Sequence, residues 1–127
     1  MSAPASAQVI RGTATVIDGD TLDMTGTRIR LAYIDAPEAR QTCEKAGVSW
    51  ACGEAATEAL ASIVDGQPVS CTLIATDVYA RQVAECHTRV FTLGREMVRR
   101  GMAVTLDNAP HEYGEAAEIA KSMNAGL

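Results

Sequence analysis

Between Gln8 and Ile17 the segment QVIRGTATVI alternates β-branched with polar residues, the period-2 signature of a strand with one buried face. The turn residues Asp18-Gly19-Asp20-Thr21 interrupt it, LDM at 22–24 resumes extended chain, and Thr25-Gly26-Thr27 makes a tight connection into a run over 28–34. These pieces predict a three-stranded meander. From Ala51 to Val64 the period changes: Ala55, Leu60, Ile63 and Val64 fall at helical spacing, and Asp65-Gly66 ends the helix. A hairpin is expected over 67–87. LGREMVRRG at 93–101 reads as a short helix with Met97 and Val98 inward and Gly101 as its stop. MAVTL at 102–106 is extended or irregular. HEYGEAAEIAKSM at 111–123 closes as a helix with Tyr113, Ala117 and Ala120 on one side. Strands first, then helices mixed with a hairpin, indicate an α+β class with a mostly antiparallel sheet curled into a small barrel.

A length of 127 residues suits one domain, expected over 8–127, and 47% hydrophobic content is that of a folded chain. No apolar run nears the roughly 18 residues of a membrane span, so no membrane partner is expected. Residues 1–7, MSAPASA, read as a disordered tail or a signal remnant. They end in small residues but lack the basic and apolar regions of an intact signal. Eleven Lys and Arg against sixteen Asp and Glu give a net charge of −5. Bulk electrostatic attraction to nucleic acid is therefore disfavoured, and any phosphate binding must rest on a few placed arginines.

Cys43, Cys52, Cys71 and Cys86 allow three disulfide connectivities. A four-cysteine zinc site is the rival, but no Cys-x-x-Cys pair exists. Cys71 and Cys86 lie on two strand-like runs joined by a short turn, where antiparallel pairing brings Cα atoms to bridging distance. Cys43 and Cys52 then close the loop CEKAGVSWAC. Four buried thiols in a reduced protein stay open as an alternative; disulfides imply an exported protein.

One apolar run carries charges that packing does not need. IRLAYIDAPE at 29–38 holds Arg30, Asp35 and Glu38. Fully extended, Arg30 and Glu38 would stand about 26 Å apart, so they share a site only if the chain turns sharply at Ala36-Pro37. Taken alone, Asp18–Thr21 is a turn and the DAPE acids are exposed charges.

In combination the motifs say more. VIDGDTLDM, RIRLAYIDAPE, CGEAA, TDVYARQVAEC, LGREMVRRGMAV and AAEIAKSMNAGL occur in this order, and together they resemble the staphylococcal nuclease (thermonuclease) family from about Val16 onward. The resemblance implies a five-stranded OB-like antiparallel barrel with three helices. It matches Asp20 and Asp35 to calcium-ligating carboxylates. Ala36, where the type enzyme usually has threonine, matches a ligand through its backbone carbonyl. Glu38 corresponds to the proposed general base, Arg30 and Arg81 to two phosphate-binding arginines, and Tyr79 to a tyrosine of the nucleotide pocket. The activity implied is calcium-dependent hydrolysis of DNA and RNA, endo or exo, leaving 3′-phosphate ends. Such chemistry suits these residue types: a hard cation on oxygen ligands and paired guanidinium donors neutralise a phosphodiester as it gains a fifth oxygen.

Departures from the family pattern also stand in the sequence. Val78 replaces a common basic residue, Ala80 a common glycine, and TLDNAP after Val104 lacks a tyrosine pair that surrounds the nucleotide. An intact catalytic centre with a weak hold on substrate is expected. His87 and His111 lack ligand spacing, Trp50 is expected to pack the cysteine loop, Tyr113 to pack the last helix, and Arg95, Arg99 and Arg100 to form a solvated face. The expected protein is a secreted or periplasmic monomer acting on DNA and RNA. Its rivals are a non-cutting nuclease-like binding module and a disulfide-stapled interaction module.

Overall fold

A computed structural model describes residues 8–127; the tail expected over 1–7 lies outside them. The run read as one strand over 8–17 is two: β1 (Val9–Gly12) and β2 (Thr15–Asp18). β3 (Thr21–Met24) and β4 (Thr27–Leu31) complete the meander, and the two-residue β5 (Ile34–Asp35) follows. A small antiparallel ribbon comes next, β6 (Cys43–Lys45) and β7 (Val48–Trp50), where the sequence reading placed only a loop. Helix α1 (Cys52–Val64) leads into β8 (Val69–Thr76) and β9 (Gln82–His87). Helix α2 (Leu93–Arg99), the short β10 (Val104–Thr105) paired with β5, and helix α3 (His111–Ser122) finish the chain.

The main sheet has the order β1-β8-β9-β4-β3-β2, antiparallel throughout except for the parallel pair β4–β9. β1 and β2 occupy its two opposite edges, yet only Thr13 and Ala14 join them. The three Cα–Cα steps from Gly12 to Thr15 reach about 11 Å at most, so the adjoining ends of the two edges must lie close and the sheet must curl. The result is an OB-like α+β fold with three helices. Its main sheet has six strands, where five were expected, because the first strand breaks to serve both edges.

The core fills the curl with Leu22, Met24, Ile29, Leu31, Val69 and Ala84, capped by Leu60, Leu93, Met97 and Val98 from the helices. On α1 the inward stripe is Ala56, Leu60, Ile63 and Val64, one position later at its start than the Ala55 expected. On α3 the buried face is Tyr113, Ala116 and Ala120, with Ala117 at its margin. Two disulfides close the framework, Cys43–Cys52 and Cys71–Cys86, and the described residues hold no free cysteine. No described helix is long and apolar enough to cross a membrane.

Candidate active site

Strand alternation accounts for the arginine in the apolar run. Ile29 and Leu31 of β4 point into the core, so Arg30 between them faces the other side. The register sets Arg30 opposite Thr21, next to Asp20. Arg30 Nη1 lies 2.8 Å from Asp20 Oδ2, and Nη2 lies 3.5 Å from Asp35 Oδ1. Nη2 also donates to the Ile34 carbonyl at 3.2 Å. The contact of the buried Nη1 with Asp20 is an ion pair off the line of its N–H bonds, so those donors make no directed hydrogen bond. Asp20, 7% exposed, also accepts the Ala36 N–H at Oδ2 (2.9 Å) and the Thr21 hydroxyl at Oδ1 (3.0 Å). One buried carboxylate thus ties the turn after β2 to the segment after β5. Asp20, Arg30, Asp35 and Ala36, distant in sequence, are brought together.

Asp18, not among the expected site residues, joins the group by accepting the Asp20 N–H at 3.2 Å. Burial, then a hydrogen bond shared with the Asp20 carboxyl, raises its pKa above the ordinary carboxylate value. Two carboxylates around one guanidinium leave negative charge uncompensated, and every donor atom there is a hard oxygen. That chemistry is compatible with a hard divalent cation, which Asp20 and Asp35 could hold. Among the described residues no three His, Cys, Asp or Glu side chains gather into a metal-ligating cluster.

Arg81 stands just ahead of the neighbouring strand. β9 runs parallel to β4 with Val83 beside Arg30, and alternation carried back two residues from Val83 would put Arg81 on the Arg30 side. No hydrogen bond or ion pair joins it to the Arg30 cluster. Its Nε donates to Asp77 Oδ2 at 2.8 Å, and its guanidinium sits 5.4 Å from the centre of the Tyr79 ring. Tyr79 is 76% exposed and touches the site only through Arg81. Burial pushes the Asp77 carboxyl up, but N–H groups of Arg81 and Tyr79 and the guanidinium itself outweigh this and hold it below the usual range. Ala80, at the family's glycine position, takes a left-handed φ of +61°.

Glu38 has an exposed side chain without a hydrogen-bond partner among the described residues, while its backbone is fixed on both sides. Its N–H donates to Gln41 Oε1 at 3.2 Å, and its carbonyl accepts the Gln41 N–H at 2.9 Å. Small residues on α1 allow this loop to approach. A Cβ on Gly19 would stand 2.8 Å from Ala56 Cβ and 2.9 Å from Ala36 Cβ, so the turn carrying Asp18 and Asp20 is wedged between them. A Cβ on Gly53 would be driven into the Glu38 carbonyl. The Cys43–Cys52 bond pins the start of α1 to the far end of the same loop. Cys52-Gly53 and Ala56 are therefore the support of the site; their signal in the sequence is a helix that opens with small residues.

The other residues singled out in the sequence lie apart from this cluster. Tyr113 is buried, meets Tyr33 edge to face at 5.5 Å, and donates to Glu85 Oε2 at 2.6 Å. Burial and that bond raise its pKa. His87 ends β9, beside Thr92 at 3.1 Å, and His111 begins α3 in the open. Trp50 lines an apolar groove of about 740 Å³ with Lys45, Val48 and Met102. Arg99 and Arg100 do not form a merely solvated face: both converge on the buried Glu96 carboxylate, at 2.6 and 2.8 Å.

With the geometry in place, comparison with known proteins is informative. Residues 28–127 match the family described as staphylococcal nuclease homologue. Asp20 lies ahead of that segment. The chain is 34% identical over 126 residues to the succinoglycan biosynthesis protein ExoI of Rhizobium meliloti (strain 1021), covering 96% of this chain and 66% of that protein. It is 30% identical over 119 residues to an uncharacterized endonuclease of Haemophilus influenzae (strain ATCC 51907 / DSM 11121 / KW20 / Rd), covering 88% of this chain and 62% of that protein. The chain thus spans just under two thirds of each relative's length. The match over most of the sequence places this chain in the staphylococcal nuclease homologue family.

Proposed function

We propose that the protein is a calcium-dependent nuclease that hydrolyses DNA and RNA phosphodiesters to 3′-phosphate ends, acting as a monomer outside the cytoplasm. The observation that carries this reading is the gathering of Asp20, Asp35 and Ala36 around Arg30, an oxygen-donor set beside a guanidinium. Calcium, held by Asp20, Asp35 and the Ala36 carbonyl, would supply charge neutralisation at the phosphate. Arg30, on β4, and Arg81, just ahead of β9, bind phosphate oxygens. Glu38, with its carboxylate unengaged and its backbone fixed, orients or deprotonates the attacking water. Tyr79, exposed beside Arg81, lines the nucleotide site. Two disulfides support an oxidising compartment. The net charge of −5 and Val78 in place of a base favour weak, salt-sensitive substrate binding.

A cleavage assay on single- and double-stranded substrates tests the reading. Digestion should require calcium, stop with EGTA and return on adding calcium back. Glu38→Gln and Arg81→Ala should each lower kcat by about two orders of magnitude or more with the fold intact. Chelator-resistant cleavage, or wild-type rates in both variants, would overturn it.

A further inference from the structure

We propose that Asp77 is a positioning residue that aims Arg81 at the substrate phosphate, gripping the guanidinium by its Nε and leaving the Nη edge for the ligand; this rests on the nuclease reading above. Asp77 follows directly on β8, where the β8–β9 connection begins to turn. Its two carboxylate oxygens have different tasks. Oδ1 accepts the backbone N–H groups of Tyr79 at 2.9 Å and Arg81 at 3.0 Å. Oδ2 accepts the side-chain Nε–H of Arg81 at 2.8 Å. The backbone closes the same loop, with the Asp77 N–H on the Arg81 carbonyl and the Ala80 N–H on the Asp77 carbonyl, each at 3.0 Å. The carboxylate that folds the turn thereby also sets the direction of the side chain that leaves it.

The mode of contact separates aiming from simple neutralisation. A guanidinium offers five N–H donors, and a carboxylate that pairs with it for charge alone commonly takes two of them in parallel. Asp77 takes one, Nε–H, through a single oxygen. The four Nη hydrogens have no hydrogen-bond partner among the described residues, so the Nη1–Nη2 edge keeps its capacity for two phosphate oxygens. The Tyr79 ring, 5.4 Å from the guanidinium carbon, restrains it from the side. Alternation carried back from Val83, which lies beside Arg30, directs Arg81, just ahead of β9, to the side that carries Arg30.

Asp77→Asn isolates the grip from the turn. The asparagine carbonyl oxygen keeps an acceptor for the two backbone N–H groups, whereas the amide nitrogen cannot accept from Nε. We expect kcat for DNA cleavage to fall about tenfold to a hundredfold, as for a misplaced catalytic group, with KM and the thermal midpoint nearly unchanged. In an Arg81→Ala background Asp77→Asn should cost nothing further, because Asp77 acts only through Arg81. A readout independent of turnover is the arginine ¹⁵Nε–H spectrum of the wild-type protein. Beside the resonances of Arg99 and Arg100, whose Nε–H groups donate to Glu96, it should contain a further slowly exchanging one that disappears in Arg81→Ala and shifts to fast exchange in Asp77→Asn. A wild-type spectrum in which no slowly exchanging resonance is lost on Arg81→Ala overturns the proposal. So does a wild-type or higher kcat in Asp77→Asn, or a full additional loss in the double variant. If Arg81→Ala alone cuts at the wild-type rate, the nuclease site assignment fails and the inference with it. If Arg81→Ala is inactive while Asp77→Asn is normal, only the positioning role fails.

Discussion

Replacing Gly53 by alanine tests how the site is held. In a helix this change ordinarily stabilises by about 1 kcal/mol. Here the opposite sign is expected, because the new Cβ would overlap the Glu38 carbonyl oxygen and stand 2.8 Å from Glu38 C and 2.9 Å from Ala39 C. Ordinary carbon contacts begin near about 3.5 Å, so the Glu38 loop must recede by on the order of 1 Å or α1 must shift by as much. The segment has little slack: Gly53 N–H donates to the Gln41 carbonyl at 3.0 Å, and the Cys43–Cys52 bond ties both sides. Overpacking of this kind costs about 1–3 kcal/mol, and a displacement of about 1 Å at a catalytic group lowers its rate about a hundredfold. The assay is steady-state cleavage of a fluorogenic oligonucleotide beside urea unfolding. Gly114→Ala is the control: it lies on the exposed face of α3, nothing stands within 4 Å of its added Cβ, and it should stabilise the fold and leave the rate alone. A Gly53→Ala protein with raised stability and wild-type kcat would refute the argument.

Glu96→Gln should destabilise by roughly 2 kcal/mol at pH 7, since Arg99 and Arg100 lose a charged acceptor while partly solvated themselves. Burial raises the Glu96 pKa, but hydrogen bonds from Arg99 and Arg100 outweigh it and depress it below 4.5. Its stabilisation is therefore present above pH 4.5 and lost as pH falls through the depressed value; a Glu96→Gln variant that loses as much stability in acid as the wild type would contradict this. Ala80→Gly should stabilise by about 0.5 kcal/mol, as relief of a left-handed φ of +61° exceeds the added freedom of the unfolded chain; a lower urea midpoint refutes it. Removing the Cys71–Cys86 bond as a double alanine variant should cost about 3 kcal/mol for its sequence separation of 15, and thiol titration of the denatured, unreduced wild type should find none. Four reactive thiols would refute the framework.

Much of the fold was legible because period and turn chemistry agree with tertiary packing over β2 to β4 and over the three helices. Alternation around Ile29 and Leu31 set Arg30 outward, and cysteine position indicated both bridges. Other features leave no local trace. The parallel pairing of β4 with β9 has no signature in either strand, so nothing in the residues themselves sets Arg81 beside Arg30. The ribbon β6–β7 turns through Ala46 and Gly47 at φ +52° and +79°, and alanine is not the residue that announces such a turn. Ala55 and Ala56 are alike in hydropathy; contact with Gly19 decides which faces inward. Asp77 reads as one more loop acid until its two oxygens are seen divided between backbone and guanidinium.

The parallel strand pair also bears on when the protein becomes active. Residues of β4 and β9 that lie side by side are roughly fifty positions apart in the chain, whereas the meander and the β8–β9 hairpin close over short loops. Local pieces can form early, but the contact that aligns the two arginines needs a long loop to close and belongs among the late steps of folding. A newly made or partly folded chain then holds Arg81 on a separate fragment from Asp20, Arg30, Asp35 and Glu38. On the proposed nuclease reading, hydrolytic capacity would arrive with the last docking event, and any condition that melts this one seam would silence it before the hairpins unravel.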